Sequence, residues 1–284
     1  MEIQKLFRDD PRYPSLLAAT GTAPECLYYS GNLEVLQAPC LAVVGTRRCT
    51  ARGESTTLRF AESLAAWGVT IVSGLAFGID AAAHEGALRG NGKTVAVLAQ
   101  GLNVLRPTVH RQLAEGILEK GGLLLSEYAP NEERYKSDYL LRNRLIAGLC
   151  SATLVVEAGY PSGALNTAKH ALTEGRDVLC VPGRIEDEAS IGCLDLIKRG
   201  AHLVTLPSDL IPILKLRPEK QHTVPVHLKG LERELYEILK KHPCSSSELT
   251  QEFSGRLVEL YEALTQLELR GLLVQTQNRS YTVV

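Results

Sequence analysis

Between Leu41 and Leu88 the chain twice runs from a short apolar stretch into glycine and then into a helical pattern. Leu41–Val44 breaks into Gly45-Thr46-Arg47-Arg48, and Thr70–Val72 breaks into Ser73-Gly74-Leu75-Ala76-Phe77-Gly78. Strand, glycine turn and helix in that order is the geometry by which open α/β sheets hold phosphates at strand ends. A sequence that repeats the unit is committed to layered α/β architecture. Here the first turn also carries two arginines.

The alternation continues beyond Leu88. Further β-type apolar runs lie at Thr94–Leu98, Leu123–Leu125, Thr153–Val156, Val178–Val181 and His202–Thr205, with a short candidate at Leu27–Tyr29. Between most of them, apolar residues recur at i, i+3 and i+4. Phe60, Leu64 and Trp67 mark one such helix, and Ile79, Ala83 and Leu88 another. Leu141, Leu145 and Leu149 mark a third, and Ala164, Ala168, Ala171 and Leu172 a fourth. This period belongs to amphipathic helices covering a sheet, and the unbroken apolar strands suit parallel strands buried on both faces. The expected core is therefore a doubly wound, mostly parallel sheet over residues 41–206.

Residues 1–40, with prolines at 11, 14, 24 and 39, read as an extended lead-in packed on that sheet. Residues 207–229 combine four prolines with charge and read as a linker. Over 230–284 the pattern changes to three helices followed by two short β-type runs, the arrangement of a winged helix. Its second helix should open on a capping box, Ser245 with Glu248 three residues on. From Gly230 onward eight glutamates face six Lys/Arg, and Glu259, Glu262 and Glu268 lie on the third helix. Phosphate neutralisation needs the opposite sign, so this small domain reads as a protein-contact module rather than a duplex reader.

Charge narrows the function. Lys+Arg 31 against Asp+Glu 32 leaves a net charge of −1, which excludes a broadly basic coat and confines any polyanion site to a local cluster. Seven cysteines without C-x-x-C spacing point to neither disulfides nor zinc and favour a reducing cytoplasm. The charged N-terminus is expected to carry no signal peptide, and no apolar run is long enough to span a bilayer. No G-x-G-x-x-G, Walker A, G-x-S-x-G or H-E-x-x-H pattern occurs, so no cofactor or metal is expected. Asp80 and His84 share a helix face, and a packing hydrogen bond accounts for them better than a metal pair lacking a third ligand.

The strand ends all deliver small or charged residues to one sheet edge. After Gly45-Thr46-Arg47, the second anion-binding candidate is Gly159-Tyr160-Pro161-Ser162-Gly163, with Ser162 as helix cap and Thr167 one turn in. The segment KSDYLLRNR interleaves Lys136, Arg142 and Arg144 with Tyr139, a composition suited to single strands, whose bases stack while their phosphates pair. Arg106, His110 and Arg111 extend the positive rim.

Taken together, AVVGTR (42–47), VSGLAFGID…AHEGAL (72–88), TVAVLAQGL (94–102), LLSEY (124–128), RNRLIAGL (142–149), VVEAGYPSGALNTA (155–168) and VPG (181–183) resemble the DNA-processing protein A family, DprA or Smf. The resemblance implies an extended Rossmann-like domain that forms a homodimer. It also implies a non-enzymatic role: binding single-stranded DNA and loading the RecA recombinase on it, in competence and DNA-mediated transformation. It implies DNA contacts from Thr46, Arg47, Lys136, Tyr139, Arg142, Arg144, Ser162, Gly163 and Thr167. Arg52 stands where the family usually has tyrosine and adds charge beside Arg47. His110 replaces a usual asparagine, Leu105-Arg106 departs from tyrosine-proline, and Leu140 replaces a proline. The N-terminal helical domain found in many members is not expected. The alternative is a nucleotide-binding sensor or a nucleotide phosphoribohydrolase-like enzyme using Glu157 and Asp80 as acid and base; the P-G-G-x-G-T turn of those enzymes is absent.

Overall fold

The computed structural model describes residues 2–134, 138–216, 228, 230–241, 244–252, 257–269, 272–275 and 280–283. The chain divides into two compact units, Met1–Lys220 and Gln221–Val284.

The large unit runs β1 (Gln4–Phe7), α1 (Ser15–Ala18), β2 (Cys26–Gly31), β3 (Cys40–Val44), α2 (Ala51–Ala66), β4 (Thr70–Ser73), α3 (Ile79–Arg89) and β5 (Thr94–Val97). It continues with α4 (Arg111–Glu119), β6 (Leu123–Ser126), α5 (Asp138–Gly148), β7 (Ala152–Val155), α6 (Gly163–Thr173), β8 (Asp177–Cys180), α7 (Ile191–Lys198), β9 (His202–Leu203) and α8 (Leu210–Ile213). The nine strands form one sheet in the order β1-β2-β6-β5-β4-β3-β7-β8-β9. From β6 to β9 every neighbour is parallel, whereas β1–β2 and β2–β6 are antiparallel. The large unit is thus an α/β, Rossmann-like doubly wound domain.

Period-two alternation along β3 sorts the layers. Ala42 and Val44 face a cluster with Leu145, Ile146 and Leu149 near α5 and Ala164 and Ala168 of α6. Leu41 and Val43 face the opposite cluster, built by Phe60 and Leu64 of α2 and Ile79, Ala83 and Ala87 of α3. Both sets are fully or almost fully buried, as a central parallel strand requires. Strands after β3 are added on one side through β6, and β7 to β9 on the other. The order therefore reverses between β3 and β7, which form a topological switch point.

Three boundaries differ from expectation for physical reasons. The lead-in contributes β1 and β2 to the sheet edge rather than merely packing on it. Helix α2 begins at Ala51, eight residues before its apolar period at Arg59; its first two turns are polar and are held at the N-cap by Thr50. The expected linker starts too early, because Leu210 and Leu214 join the core behind β3 with Ile213 and Leu216 packed against it. Helices α4 and α7 carry no clear sequence signal. Residues 217–227 and 229 lie outside the described residues.

The small unit comprises α9 (Leu231–Lys241), β10 (Cys244–Ser245), α10 (Ser246–Glu252), α11 (Leu257–Leu269), β11 (Leu273–Gln275) and β12 (Ser280–Val283). Its antiparallel sheet has the order β10-β12-β11, so Cys244–Ser245 supplies a strand the sequence does not advertise. Leu235, Leu239, Leu249, Leu260, Leu264, Leu267 and Tyr281 form its core. The capping box is made: the Ser245 N–H donates to Glu248 Oε2 at 2.6 Å, and the Glu248 N–H to Ser245 Oγ at 3.3 Å.

Candidate nucleic-acid interface

Ligands of open α/β sheets bind outside the strand C-termini where the order reverses. A 390 Å³ cleft lies there. Its walls are Gly45–Arg48 after β3, Gly159–Gly163 before α6, Ala76 and Asp80 around the start of α3, and Tyr139, Leu140, Arg142, Asn143 and Ile146 of α5.

Backbone bonds set the β3 turn. The Thr46 N–H donates to the Glu157 carbonyl at 2.7 Å, tying the turn to the segment after β7. The Ile79 N–H donates to the Thr46 carbonyl at 3.2 Å. Gly78 adopts φ 75°, and a Cβ there would strike the Thr46 and Arg47 backbone. The two glycine turns of the sequence therefore pack directly on one another.

The floor is polar but closed. Asp80 and Arg142 are 7% and 3% exposed, and they clamp Gly74 from its two ends. The Gly74 N–H donates to Asp80 Oδ2 at 3.1 Å, and Arg142 Nη1 donates to the Gly74 carbonyl at 2.9 Å and also to the Val97 carbonyl. Burial pushes the Arg142 guanidinium down to about 10, opposed by the Asp80 charge. Burial likewise raises the Asp80 carboxyl, opposed by Arg142 and the N–H groups of Ala76 and Gly74.

The rim is open. Arg47 is exposed, and its guanidinium carbon lies 5.2 Å from the centroid of the half-buried Tyr139 ring. Among the described residues no carboxylate pairs with Arg47 or Arg48, so both charges face solvent beside the cleft. Ser162 caps α6 by accepting from the Ala164 N–H at 3.2 Å, and Gly163 opens the helix. The buried Thr167 hydroxyl turns back to the Gly163 carbonyl at 3.3 Å. Asn143 Nδ2 reaches the same carbonyl at 3.1 Å, fastening α5 to α6.

Of the residues expected to meet DNA, the structure gathers Thr46, Arg47, Tyr139, Arg142, Ser162, Gly163 and Thr167 around one cleft. Lys136 lies outside the described residues. Arg142 is in place but buried, with its donors directed at backbone carbonyls, so it shapes the floor instead of offering a surface charge. Arg144 does not line the cleft; it ion-pairs with Glu127, and both side chains are largely buried. The reason is helical: two residues on from Arg142, a side chain points to another face. Arg52 also stands apart, lining a neighbouring 350 Å³ cleft with Thr50, Glu157 and Arg184.

Sequence reasoning gave Asn143 no role of its own, although it lies between Arg142 and Arg144; Tyr160 entered only as part of the turn before α6. The acid–base alternative finds Glu157 engaged elsewhere: its carboxylate accepts from the Thr50 N–H at 2.9 Å and the Thr50 hydroxyl at 2.6 Å. That carboxylate fills the positive end of α2, while the corresponding end of α6 borders the cleft. His84 is buried with Nδ1 2.7 Å from Thr94 Oγ1, the packing bond expected of it. Among the described residues no three metal-ligating groups converge, and no helix is long and apolar enough to cross a membrane.

Known proteins resemble this architecture closely. The DNA processing protein DprA of Streptococcus pneumoniae is 45% identical over 202 residues, 71% of this chain and 71% of that protein. Protein Smf of Escherichia coli is 45% identical over 207 residues, 73% of this chain but 55% of its own, so the chain spans about half of that relative's length. The X-ray structure of the Streptococcus pneumoniae protein matches with TM-score 0.70 and 42% identity, covering 74% of each chain. The DNA processing protein A of Helicobacter pylori, described as having a unique single-stranded DNA binding mode, matches with TM-score 0.68 and 29% identity over 75% of this chain and 96% of that one. The family model for DNA recombination-mediator protein A matches residues 4–215, the whole sheet and its covering helices, and the chain belongs to that family.

Proposed function

We propose that the large unit binds single-stranded DNA in the switch-point cleft, in the service of DNA processing during transformation and recombination. The observation that carries this reading is Arg47, without a carboxylate partner among the described residues, lying on Tyr139 at the mouth of the cleft. A cation and an aromatic face in contact supply the two things a single strand offers partners for, a phosphate and a base. A base that stacks on Tyr139 must take the place of the guanidinium, which then turns to a flanking phosphate. Arg48 and the N-terminus of α6 add to the positive field, while Glu157 keeps the end of α2 from competing.

Within this reading the protein is a cytoplasmic homodimer that acts without catalysis and hands the strand to a RecA-type recombinase. The small unit is then a winged helix whose acidic third helix serves protein contact. The match of residues 4–215 to a family of recombination mediators supports the hand-over, and the acidic surface of α11 is what sets the small unit apart from a duplex reader.

Titration of a fluorescein-labelled oligothymidine of ~10 nucleotides, in the site-size range of single-strand binders, tests the cleft. Salt-sensitive binding that Arg47→Glu with Lys136→Glu abolishes is the expected result. Binding that survives the double change would remove the site assignment. Tight binding and turnover of a nucleoside monophosphate would instead favour the enzyme reading. Recombinase loading is read separately, as recovery of strand-dependent ATPase on DNA coated with single-strand-binding protein.

A further inference from the structure

The second glycine turn does more than buttress the first. At its tip Phe77 is 50% exposed, although large aromatic side chains normally seek burial. The turn holds it there firmly. Leu75 adopts φ 55° with its side chain fully buried near β5 and α4, and Gly78 adopts φ 75° against the Thr46 and Arg47 backbone. The imidazole of His110 meets the Phe77 ring edge-on, with centroids 4.9 Å apart and planes at 60°. His110 Nδ1 lies 2.9 Å from the Leu75 carbonyl, which only accepts, so Nδ1 carries the proton and the ring orientation is set. Two aromatic rings are thus locked together with much of the Phe77 surface in solvent.

Their position connects them to the cleft. Ala76, one residue before Phe77, lines the cleft wall, and Gly78, one residue after, lies on the Arg47 backbone. Phe77 thus lies in the turn between a cleft-lining residue and one packed on the Arg47 backbone, with the His110 ring against its own. Beyond His110 comes the exposed Arg111, for which no ion pair exists among the described residues. Exposed aromatic faces and unpaired cations on neighbouring segments are the groups on which a single strand is bound without base reading.

We propose that Phe77, backed by His110, is a second base-stacking platform that leads a bound single strand out of the Arg47–Tyr139 cleft toward Arg111. The inference rests on the single-strand reading of the cleft. It adds a subsite and a direction of travel, and it names residues outside the cleft lining.

The test compares full-length wild type, Phe77→Ala, Phe77→Trp and Arg47→Glu on oligothymidine and on an abasic backbone of the same length. Phe77→Ala is expected to weaken oligothymidine binding about tenfold, in line with the loss of one stacked base, with little change on the abasic strand. Phe77→Trp, in a Trp67→Phe background that removes the single native tryptophan, is expected to keep wild-type affinity and to show fluorescence quenching by thymine. Unchanged affinity of Phe77→Ala while Arg47→Glu abolishes binding would overturn the platform and leave the cleft standing. Equal weakening on both strands, or loss of self-association in place of DNA affinity, would also overturn it, the latter assigning Phe77 to protein contact. Failure of the wild type to bind any oligonucleotide would remove the cleft reading and the platform with it.

Discussion

Arg142 on the floor of the cleft and Arg47 on its rim lie against the same pair of glycine turns, yet their surroundings are opposite. Arg142 is almost wholly enclosed, donates to the Gly74 and Val97 carbonyls and shares its field with Asp80. Arg47 is exposed and rests on an aromatic ring with no acidic partner among the described residues. A buried guanidinium whose donors are satisfied has little left for a ligand and instead fixes the geometry of its neighbours. An exposed, unpaired one keeps both its charge and its forked donors for a phosphate. The contrast divides the site into a part that holds shape and a part that binds.

That division is open to test, beginning with the largest effect. Arg142→Met should lower the unfolding free energy in urea by about 3 kcal/mol, because Asp80 is left buried without its counter-charge; an unchanged midpoint would move Arg142 from floor to rim. Arg47→Glu should weaken single-strand binding about 100-fold, about 2.7 kcal/mol, while stability stays within ~0.5 kcal/mol. It should also flatten the salt dependence by roughly 0.7 log unit per decade of salt for each phosphate that is no longer neutralised. A stability loss as large as that of Arg142→Met would erase the distinction.

A third effect lies beneath the floor, on α3. Burial lowers His84 from 6.5 to about 3. The unfolded chain therefore takes up this proton first as pH falls, so stability declines from about pH 6.5 downward toward pH 3, at up to ~1.4 kcal/mol per pH unit. His84→Gln should flatten that part of the stability–pH curve measured by urea titration; an unaltered slope would mean another group carries it. The smallest effect is at the rim. Ser162→Ala should cost about 1 kcal/mol of stability through the lost cap of α6. DNA affinity should change less than threefold, since the backbone N–H groups remain; a larger loss would make the Ser162 hydroxyl itself a ligand.

Much of this was legible in the residues. Apolar runs ending in glycine located β3, β4 and the turns after them, because a buried parallel strand has no polar face and its exit has to turn sharply. Helices α3, α5 and α6 were readable from their apolar period. Helix α2 was readable only in its second half, since its opening turns derive their stability from Thr50 and Glu157, the latter more than a hundred residues away. Strand β1 and helices α4 and α7 were not readable, being short or interrupted elements stabilised by packing more than by pattern.

The sequence by itself determined the layered α/β class, the two glycine turns and the presence of Arg47 and Tyr139 in segments suited to phosphate and base, because these depend on local period and residue chemistry. Tertiary structure alone decided which arginines are free. Arg142 and Arg144 are equally cationic in sequence, but one closes over Gly74 on a distant strand end and the other pairs with Glu127 just after β6. It also decided that the two turns, separated by a strand and a helix, pack on one another, Gly78 against the Thr46 and Arg47 backbone. Charge and ring belong to the residue; exposure and partnership belong to the fold.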